Sequence, residues 1–595
     1  MTSRFVIGID LGTTNCVVAY AELESPDAPK IELLQIPQLV TAGTVESFSN
    51  LPSFLYLASE REQVAAGVLP WSSGSGDQIV GRSARTQAAE TPERTVSAAK
   101  SWLGHSGVDR HAAILPWEAP QEVPRLSPVC ATQRYLEHLV CSWNTAHPDA
   151  PFTDQKIVIT VPASFDASAR ELTREAAVGA GVPANFVLLE EPQAAVYAWL
   201  TDEGESWRDR IQVGDQLLVC DVGGGTTDLT LIRASEVDGA LQLDRLAVGK
   251  HLLVGGDNMD LALAHHAVEA FAEQNVKLDA WQSVSLWHAC RHAKESLLAD
   301  DGPESQKVSI LGRGRKLIGG TVSTDLDREA VTRLLVDGFF PRCELEDRPQ
   351  MRHQSGFVQI GLPFESDTAI TRHIANFLGN YDQSESTSIQ PTHLLFNGGV
   401  FRSGALRKRM TDVLSAWYVD RPPAELHGTR DLDHAVARGA AYYGWTKECG
   451  GVRIRGGTAR SYYMGVETAG LAIPGAPRPL KAICVVPFGM EEGTQVDVPG
   501  SEIGLVLGQP VQFRFFSSLV RREDQVGAVL DSVDENQLEE TDSLEASLPP
   551  SSTGNESYVP VRFQSRVTEL GVFELWCVST QSEDSWKLEF SVRPE

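Results

Sequence analysis

The hydrophobic pattern divides the chain into a long mixed region and a shorter region rich in strands. As far as about residue 445, short apolar runs of β-branched residues alternate with segments of helical periodicity, which is typical of an α/β protein. The runs Phe5–Ile9, Ile157–Val161 and Leu217–Cys220 are predicted to be buried strands. The segment Ala167–Ala180 is predicted to be a helix with Asp166 as its N-cap.

The last part of the chain has a different pattern. From Ser461 to Glu595 the helical period disappears, and short apolar segments separated by turn residues predict a β-sandwich. The Gly- and Arg-rich segment 447–460 is interpreted as a linker between the two regions. The acidic, polar stretch Asp531–Ser557 predicts a mobile loop.

The composition excludes some classes of binding partner and indicates the cellular compartment of the protein. A net charge of −28 over 595 residues argues against nucleic acid and against an anionic membrane surface, both of which attract basic proteins. The nine cysteines form no CxxC pair, so neither a zinc site nor a disulfide framework is expected. No apolar run approaches the roughly 18 residues of a membrane span, and the N-terminus lacks a signal-peptide pattern. We therefore expect a cytoplasmic protein.

Two similar strand–turn–strand units carry the candidate chemistry. The first has Asp10 at the end of a strand, followed by the turn Gly12–Asn15; the second has Asp221 followed by Gly223–Asp228. Glycine lets backbone N–H groups approach phosphate oxygens, and an Asp can hold hydrated Mg²⁺. One such unit could equally be a tight hairpin capped by an Asp. Two matched copies favour a pair of loops that enclose phosphates across a cleft.

A third Gly-rich segment follows the apolar run that ends at Asn397. Its glycines, Gly398 and Gly399, could let the backbone approach a nucleoside, while the flat guanidinium of Arg402 stacks on the base. An ordinary strand-to-helix turn is the alternative interpretation of this segment.

These motifs resemble those of a known family. DLGTTN, DVGGGTTD, GGDNMD, FNGGVFR and DHAVARGAA are similar, in order, to nucleotide-site motifs of the DnaK-type, 70-kDa heat-shock chaperones, as are AKSWLG, ITVPA and EEP. The resemblance runs from residue 4 to about 445. It implies an α/β, two-lobed actin-like ATPase domain of duplicated ribonuclease-H-like units at 1–446, with lobe I at about 1–210 and lobe II at about 211–430. A C-terminal β-sandwich that binds substrate or a partner would occupy 461–595.

The resemblance also implies roles for the matching residues, with ATP or ADP and Mg²⁺ as ligands and K⁺ as a further candidate. The residues implied for the Mg²⁺ hydration shell are Asp10, Glu191 and Asp221. Those implied for the phosphates are Gly12, Thr13, Thr14, Asn15, Gly224 and Gly225. Those implied for the nucleoside are Gly256, Lys294, Gly398, Gly399, Arg402 and Asp433. Those implied for catalysis are Lys100, Thr226, Glu191 and Asp228. Taken alone, Lys100 could be a solvated helix lysine and Glu191 a helix N-terminal acid before Pro192.

Three departures from the family qualify these expectations. In the helix that faces the adenine, Arg291, Lys294, Glu295 and Leu298 stand where the family has an acid, a lysine, an arginine and a serine. Arg291 and Glu295 could form an i,i+4 pair in reversed order, and weaker nucleotide affinity is expected. The family's Leu-rich linker is replaced by VRIRGGTAR, and no helical lid is expected. The segment 342–388 receives no function.

The resulting hypothesis is an ATP-dependent chaperone that hydrolyses ATP slowly and binds unfolded or extended polypeptides. The same resemblance implies J-domain and nucleotide-exchange cochaperones as candidate partners. Two alternatives stay open from the sequence. The chain could be an ATP-gated scaffold for one dedicated partner, or a sugar kinase of the same fold.

Overall fold

The structure is a computed structural model with side chains. It describes residues 3–24, 29–59, 69–71, 77–105, 107–117, 119–237, 240–273, 275–311, 321–350, 362, 364–382, 389–428, 431–450, 454–455, 458, 460–468, 480–490, 494–508, 511–518, 520–521, 523–534, 537–540, 544–546, 548, 558–567 and 573–588.

The chain folds into two compact units, which are described separately. Unit 1 consists of Met1–Ser164 and Thr173–Arg453, and unit 2 of Phe165–Leu172 and Ile454–Glu595. The boundary near residue 453 lies inside the segment interpreted as a linker. Within the described ranges, no helix has the length and hydropathy needed to cross a lipid bilayer.

The strands before residue 450 build two main sheets and several smaller ones. In chain order they are β1 (Phe5–Leu11), β2 (Asn15–Glu22), β3 (Glu32–Leu33), β4 (Ile36–Thr41), β5 (Thr44–Phe48), β6 (Asn50–Pro52), β7 (Leu55–Leu57), β8 (Gln78–Val80), β9 (Thr95–Val96), β10 (Lys156–Val161), β11 (Val187–Glu190), β12 (Gln216–Val222), β13 (Thr227–Val237), β14 (Ala240–Val248), β15 (Ser305–Leu311), β16 (Thr321–Asp327), β17 (His393–Asn397) and β18 (Ala424–Glu425).

The helices are interleaved with these strands, as the mixed hydrophobic pattern predicts. They are α1 (Arg82–Glu90), α2 (Ala99–Leu103), α3 (Pro128–Ala146), α4 (Ala167–Gly179), α5 (Glu191–Glu203), α6 (Trp207–Arg210), α7 (Gly256–Glu273), α8 (Ala280–Leu297), α9 (Arg328–Phe339), α10 (Ile370–Asp382), α11 (Gly404–Trp417) and α12 (Ala435–Cys449). The predicted N-cap of α4 is present, because the Asp166 carboxylate accepts a hydrogen bond from the Ala169 N–H at 2.7 Å. Helix α12 continues to Cys449, inside the range interpreted as a linker.

The two main sheets of unit 1 repeat one topology. The first has the strand order β11-β10-β1-β2-β3, and the second includes the order β18-β17-β12-β13-β14. In each, the first strand of an antiparallel hairpin, β1 or β12, also pairs in parallel with a later strand, β10 or β17. Parallel strands covered on both faces require apolar runs, which explains why these strands could be recognised in the sequence. The structure thus contains the duplicated unit that the sequence resemblance implies.

Helix α12 packs closely against α5 because the residue at one contact position, Gly439, has no side chain. A Cβ atom placed on Gly439 would overlap the carbonyl oxygen of Ala194 and lie 2.9 Å from the backbone nitrogen of Ala198. Both obstacles are backbone atoms, which cannot rotate aside. Small residues on this face therefore fix the distance between the two helices.

We expect Gly439→Ala to lower the free energy of unfolding of unit 1 by about 3 kcal/mol, since the extra methyl group forces two packed helices apart. The measurement is a urea titration followed by circular dichroism. Gly338→Ala is the matched control, because no atom lies within 4 Å of the added Cβ in α9. Replacing that helical glycine is expected to leave stability unchanged or raise it by up to about 1 kcal/mol. Equal effects of the two substitutions would contradict the packing argument.

The strands of unit 2 form two larger sheets. They are β19 (Ile454–Arg455), β20 (Ser461–Glu467), β21 (Leu480–Val486), β22 (Gln495–Asp497), β23 (Ile503–Val506), β24 (Val511–Phe513), β25 (Phe515–Ser518), β26 (Val529–Leu530), β27 (Glu539–Glu540), β28 (Leu544–Ala546), β29 (Tyr558–Val567), β30 (Phe573–Ser579) and β31 (Ser585–Leu588). One sheet has the order β26-β21-β20-β25-β27; the other has β22-β29-β30-β31, with β23 also beside β29.

These two sheets share a hydrophobic core, which confirms the predicted sandwich. Buried side chains of the first sheet, including Met464, Val485 and Phe515, pack in one cluster with Val561 and Leu575 of the second. Strand β29 alternates buried and more exposed positions along its length, as expected for a strand with one face on a core. The prediction of a loop throughout Asp531–Ser557 is wrong, because β27 and β28 lie within it.

Candidate nucleotide site

The two predicted phosphate loops face each other across unit 1. The first connects β1 to β2 and the second connects β12 to β13. A Cβ atom on Gly224 would overlap Oγ1 of Thr14, and one on Gly225 would lie 3.2 Å from Cγ2 of Thr13. The loops of the two sheets are therefore in van der Waals contact, and their backbones can approach one ligand from opposite sides.

The first loop is held in place by hydrogen bonds from a neighbouring strand end. The hydroxyl of Ser53 donates to the carbonyl of Gly12 at 2.7 Å, and the N–H of Ser53 donates to the carbonyl of Thr14 at 2.9 Å. In the same loop, Oδ1 of Asn15 is buried and has no hydrogen-bond partner among the described residues. A buried polar atom of this kind usually has a partner, so a ligand or a water molecule fits beside it.

The second loop is tied to the start of α7. The N–H of Gly256 donates to the carbonyl of Gly223 at 3.0 Å, and the N–H of Asp257 donates to the carbonyl of Gly224 at 2.7 Å. Within the loop, the Gly223 N–H donates to the carbonyl of Thr226 at 2.9 Å. Backbone hydrogen bonds therefore hold the start of α7 and the second phosphate loop together.

The third Gly-rich segment meets the second loop at Asp221. Asn397 ends β17, the parallel neighbour of β12, and its Nδ2 donates to Oδ2 of Asp221 at 2.7 Å. The next residue, Gly398, has a φ of 84°, and an added Cβ would lie 2.5 Å from the carbonyl carbon of Val222. Both the positive φ and the close approach require glycine at this position.

A group of buried and partly buried carboxylates surrounds Lys100. Burial and the nearby Glu191 raise the pKa of Asp10 to about 7 and that of Asp221 to about 8. Burial also raises the pKa of Glu191, which forms an ion pair with Lys100. Burial lowers the pKa of Lys100, but Glu191, Asp10 and Asp228 outweigh that effect and hold it above its usual value. A cation bound among these carboxylates would favour their ionised forms, so the site suits a cation.

This arrangement fits a hydrated Mg²⁺ better than a directly coordinated metal. In the part of the chain that the structure describes, no group of three or more His, Cys, Asp or Glu side chains is placed to hold a metal ion directly. Mg²⁺ retains several waters in most protein sites, and carboxylates can hold it through them. The implied set Asp10, Glu191 and Asp221 matches that mode of binding.

The residues implied for the nucleoside come together in two adjoining pairs. Nζ of Lys294 donates to the carbonyl of Gly256 at 2.8 Å. Arg402 donates from Nη1 to Oδ2 of Asp433 at 3.0 Å, and an added Cβ on Gly399 would lie 3.6 Å from Oδ1 of the same Asp433. Lys294 also pairs with Asp260 at 2.7 Å, so its charge is partly balanced within the protein.

The predicted i,i+4 pair of α8 is not formed. Arg291 pairs instead with two carboxylates of α7, Asp257 and Asp260, the latter at 2.8 Å between Nε and Oδ2. Asp260 is fully buried, so its carboxylate needs a cationic partner. It is therefore a more favourable partner for Arg291 than the exposed Glu295.

Three residues of this region escaped the sequence analysis: Ser164, His251 and Asn397. The hydroxyl of Ser164 donates to Oδ1 of Asp228 at 2.7 Å, and Nδ1 of His251 lies 3.1 Å from the same oxygen. Asn397 had a usable signal, since it ends a strand that pairs in parallel beside Asp221. Ser164 and His251 had none, because each lies outside a regular strand or helix pattern.

Two comparisons with known proteins point to one family. The family model described as Hsp70 protein matches residues 69–344. Chaperone protein DnaK of Stenotrophomonas maltophilia (strain R551-3) is 28% identical over 284 residues. Over the matched residues, this chain is similar to the Hsp70/DnaK-type family. The fold is the actin-like, two-lobed ATPase fold, followed by a β-sandwich.

The similarity spans only part of either protein. The similar segment covers 45% of this chain and 38% of the length of that DnaK. The family match includes Lys100, Glu191 and the second phosphate loop, but the first loop and the third Gly-rich segment lie outside residues 69–344. For those two segments, the assignment depends on their contacts with the matched region.

Proposed function

We propose that the chain is an ATP-dependent molecular chaperone that binds and slowly hydrolyses ATP to control polypeptide binding by its C-terminal β-sandwich. The observation that carries the proposal is the contact of two Asp-headed glycine loops over a buried lysine–carboxylate cluster. That combination supplies what phosphoryl transfer needs, namely positioned donors for phosphates and preorganised charge around the transferred group.

In this proposal the loops hold the triphosphate through backbone N–H groups and the hydroxyls of Thr13 and Thr14. Lys100 stabilises the charge that develops on the γ-phosphoryl group, while Thr226 and Asp228 orient the attacking water. Asp10, Glu191 and Asp221 hold hydrated Mg²⁺, which would supply charge neutralisation at the phosphates. The pairs Gly256–Lys294 and Arg402–Asp433 border the nucleoside.

A groove in unit 2 supports the polypeptide-binding part of the proposal. It has a volume of about 350 Å³ and is lined by apolar side chains that include Ile483, Val498 and Phe563, with charged residues such as Glu467 and Arg562 beside them. A groove of this chemistry suits an apolar side chain of an extended peptide, whose backbone can pair with a sheet edge. J-domain and nucleotide-exchange cochaperones are the partners that the family suggests for regulating such binding.

The proposed function predicts that ATP weakens peptide binding and that Val529→Asp weakens it further. Val529 lines the groove with 51% of its surface exposed, so the substitution places a charge against the bound side chain without disturbing the core. We expect about a 10-fold loss of affinity, the effect of losing roughly 1.4 kcal/mol of apolar contact. The measurement is fluorescence anisotropy of a labelled Leu-rich peptide with the full chain, in ADP and in ATP.

Val520→Asp provides the matched control for this experiment. Val520 belongs to the same unit and is similarly exposed, at 57%, but it does not line the groove. Its substitution is expected to leave peptide affinity unchanged. Peptide binding that is the same in both nucleotides, or no binding in either, would refute the proposed function.

A further inference from the structure

His251 is a partly buried residue at the candidate nucleotide site to which neither the sequence motifs nor the comparisons assign a role. It lies in the segment between β14 and α7. Its neighbour Leu252 exchanges two backbone hydrogen bonds with Thr227, from Thr227 N–H to the Leu252 carbonyl at 2.9 Å and in the reverse direction at 3.2 Å. This bridge fixes the backbone beside β13 and brings the His251 ring next to Asp228.

The ring completes a triangle of polar atoms. Nδ1 of His251 lies 3.1 Å from Oδ1 of Asp228 and 3.1 Å from Oγ of Ser164, and Oγ of Ser164 lies 2.7 Å from Oδ1 of Asp228. An ionised carboxylate can only accept hydrogen bonds. Ser164 O–H and His251 Nδ1–H therefore both donate to Asp228, and together they define its orientation.

The electrostatics of the triangle keep Asp228 charged. Burial alone would raise the pKa of Asp228, but His251, the hydroxyl of Ser164 and the nearby Lys100 outweigh burial and lower it. In return, Asp228 holds the pKa of His251 above its usual value against the effects of burial and of Lys100, with a further contribution from Glu191. The carboxylate is thus held both ionised and in a single orientation.

The triangle also joins the two halves of unit 1, each of which is built around one of its two main sheets. Ser164 follows β10 of the first main sheet, whereas Asp228 and His251 belong to the second. His251 belongs to the same half as Asp228, so it can donate to Asp228 whether the two halves are close together or apart. Ser164 can donate only when the halves are together.

We propose that His251 is a positioning residue for ATP hydrolysis, which holds the Asp228 carboxylate toward the attacking water while Ser164 adds a second donor from the opposite half. The inference rests on the proposed ATPase activity. It assigns His251 no contact with the nucleotide, so its loss acts on the rate of the chemical step and not on affinity.

The test is single-turnover hydrolysis of ATP by the full chain, together with ATP affinity from calorimetry. We expect His251→Ala to slow hydrolysis about 10-fold, as for loss of one hydrogen bond to a charged group, while ATP affinity stays within about threefold of wild type. His251→Asn is expected to recover most of the rate because its amide N–H can replace Nδ1–H. His251→Gln, whose amide reaches the place of Nε2, is expected not to recover it.

A double-mutant cycle separates positioning from a general loss of structure. On an Asp228→Asn background, removal of His251 is expected to cost little further rate, because the group that it orients has already lost its charge. His373→Ala is the control, since that buried histidine of the same half bonds to the Asp367 carbonyl away from the site. It is expected to leave the rate unchanged.

Three results would overturn the inference and leave the proposed function standing. The first is a wild-type rate for His251→Ala, and the second is an equal rate loss for His251→Asn and His251→Gln. The third is an undiminished effect of His251→Ala on the Asp228→Asn background. If the unmodified chain binds Mg·ATP but never hydrolyses it, the proposed activity and this inference both fail.

Discussion

Replacing Lys100 by Ala is expected to slow ATP hydrolysis by about 100- to 1,000-fold while the chain continues to bind ATP. Lys100 is 7% exposed and its ammonium group lies among carboxylates, so it brings a fixed positive charge into a buried site. Charge stabilisation is strongest in such surroundings, and the γ-phosphoryl group develops charge only during transfer. Single-turnover hydrolysis of radiolabelled ATP measures the rate, and calorimetry measures the affinity.

Lys294→Ala is the matched control for Lys100→Ala. Lys294 is also a largely buried lysine paired with a carboxylate, Asp260, but it lies on the nucleoside side of the site. Its loss is expected to weaken ATP affinity and to leave the rate at saturating ATP near that of the wild type. Thermal unfolding is recorded for both variants, because Lys100→Ala leaves Glu191 without its ion-pair partner. A wild-type rate in Lys100→Ala would show that the catalytic assignment is wrong.

The parts of the site that could be predicted from the sequence are formed by residues that lie close together along the chain. Asp10 and Asp221 each end an apolar strand and are followed within a few residues by the glycines of a hairpin, so strand, acid and turn are visible together. The apolar run that ends at Asn397 was also visible, but its parallel pairing beside the strand of Asp221 was not predicted. Local hydrophobic patterns therefore predicted individual strands of both sheets and the two loops that follow them.

The parts that could not be predicted depend on contacts between distant segments. Arg291 pairs with α7 and not with its own helix, because a fully buried Asp260 on the neighbouring helix competes for it. His251 lies in an irregular segment, where neither helical nor strand periodicity indicates which way a side chain points. Strands β27 and β28 are two and three residues long, too short to show any alternation within an acidic stretch.

Gly224→Ala is expected to lower the affinity for Mg·ATP by about 100-fold, as for loss of a strong hydrogen bond to a charged ligand. The added methyl group would overlap Oγ1 of Thr14 and lie 3.3 Å from Oδ1 of Asp257. Two relaxations are open to the protein. If Thr14 rotates away, its hydroxyl leaves the position proposed for a phosphate donor; if the loops separate, their N–H groups no longer reach one ligand together.

Gly223→Ala tests the cause of the affinity loss expected for Gly224→Ala. The loss could arise from the contact between the two loops, or from any substitution in a glycine-rich turn. A Cβ atom on Gly223 would meet only Thr226, at 3.6 Å from its carbonyl oxygen, which is an ordinary van der Waals distance. Its φ lies outside the left-handed region, so alanine can adopt the same backbone, and affinity within about threefold of wild type is expected. Calorimetry of both variants decides the matter. Equal losses would mean that the turn simply needs flexibility, whereas a loss confined to Gly224→Ala would locate the phosphate site where the two loops meet.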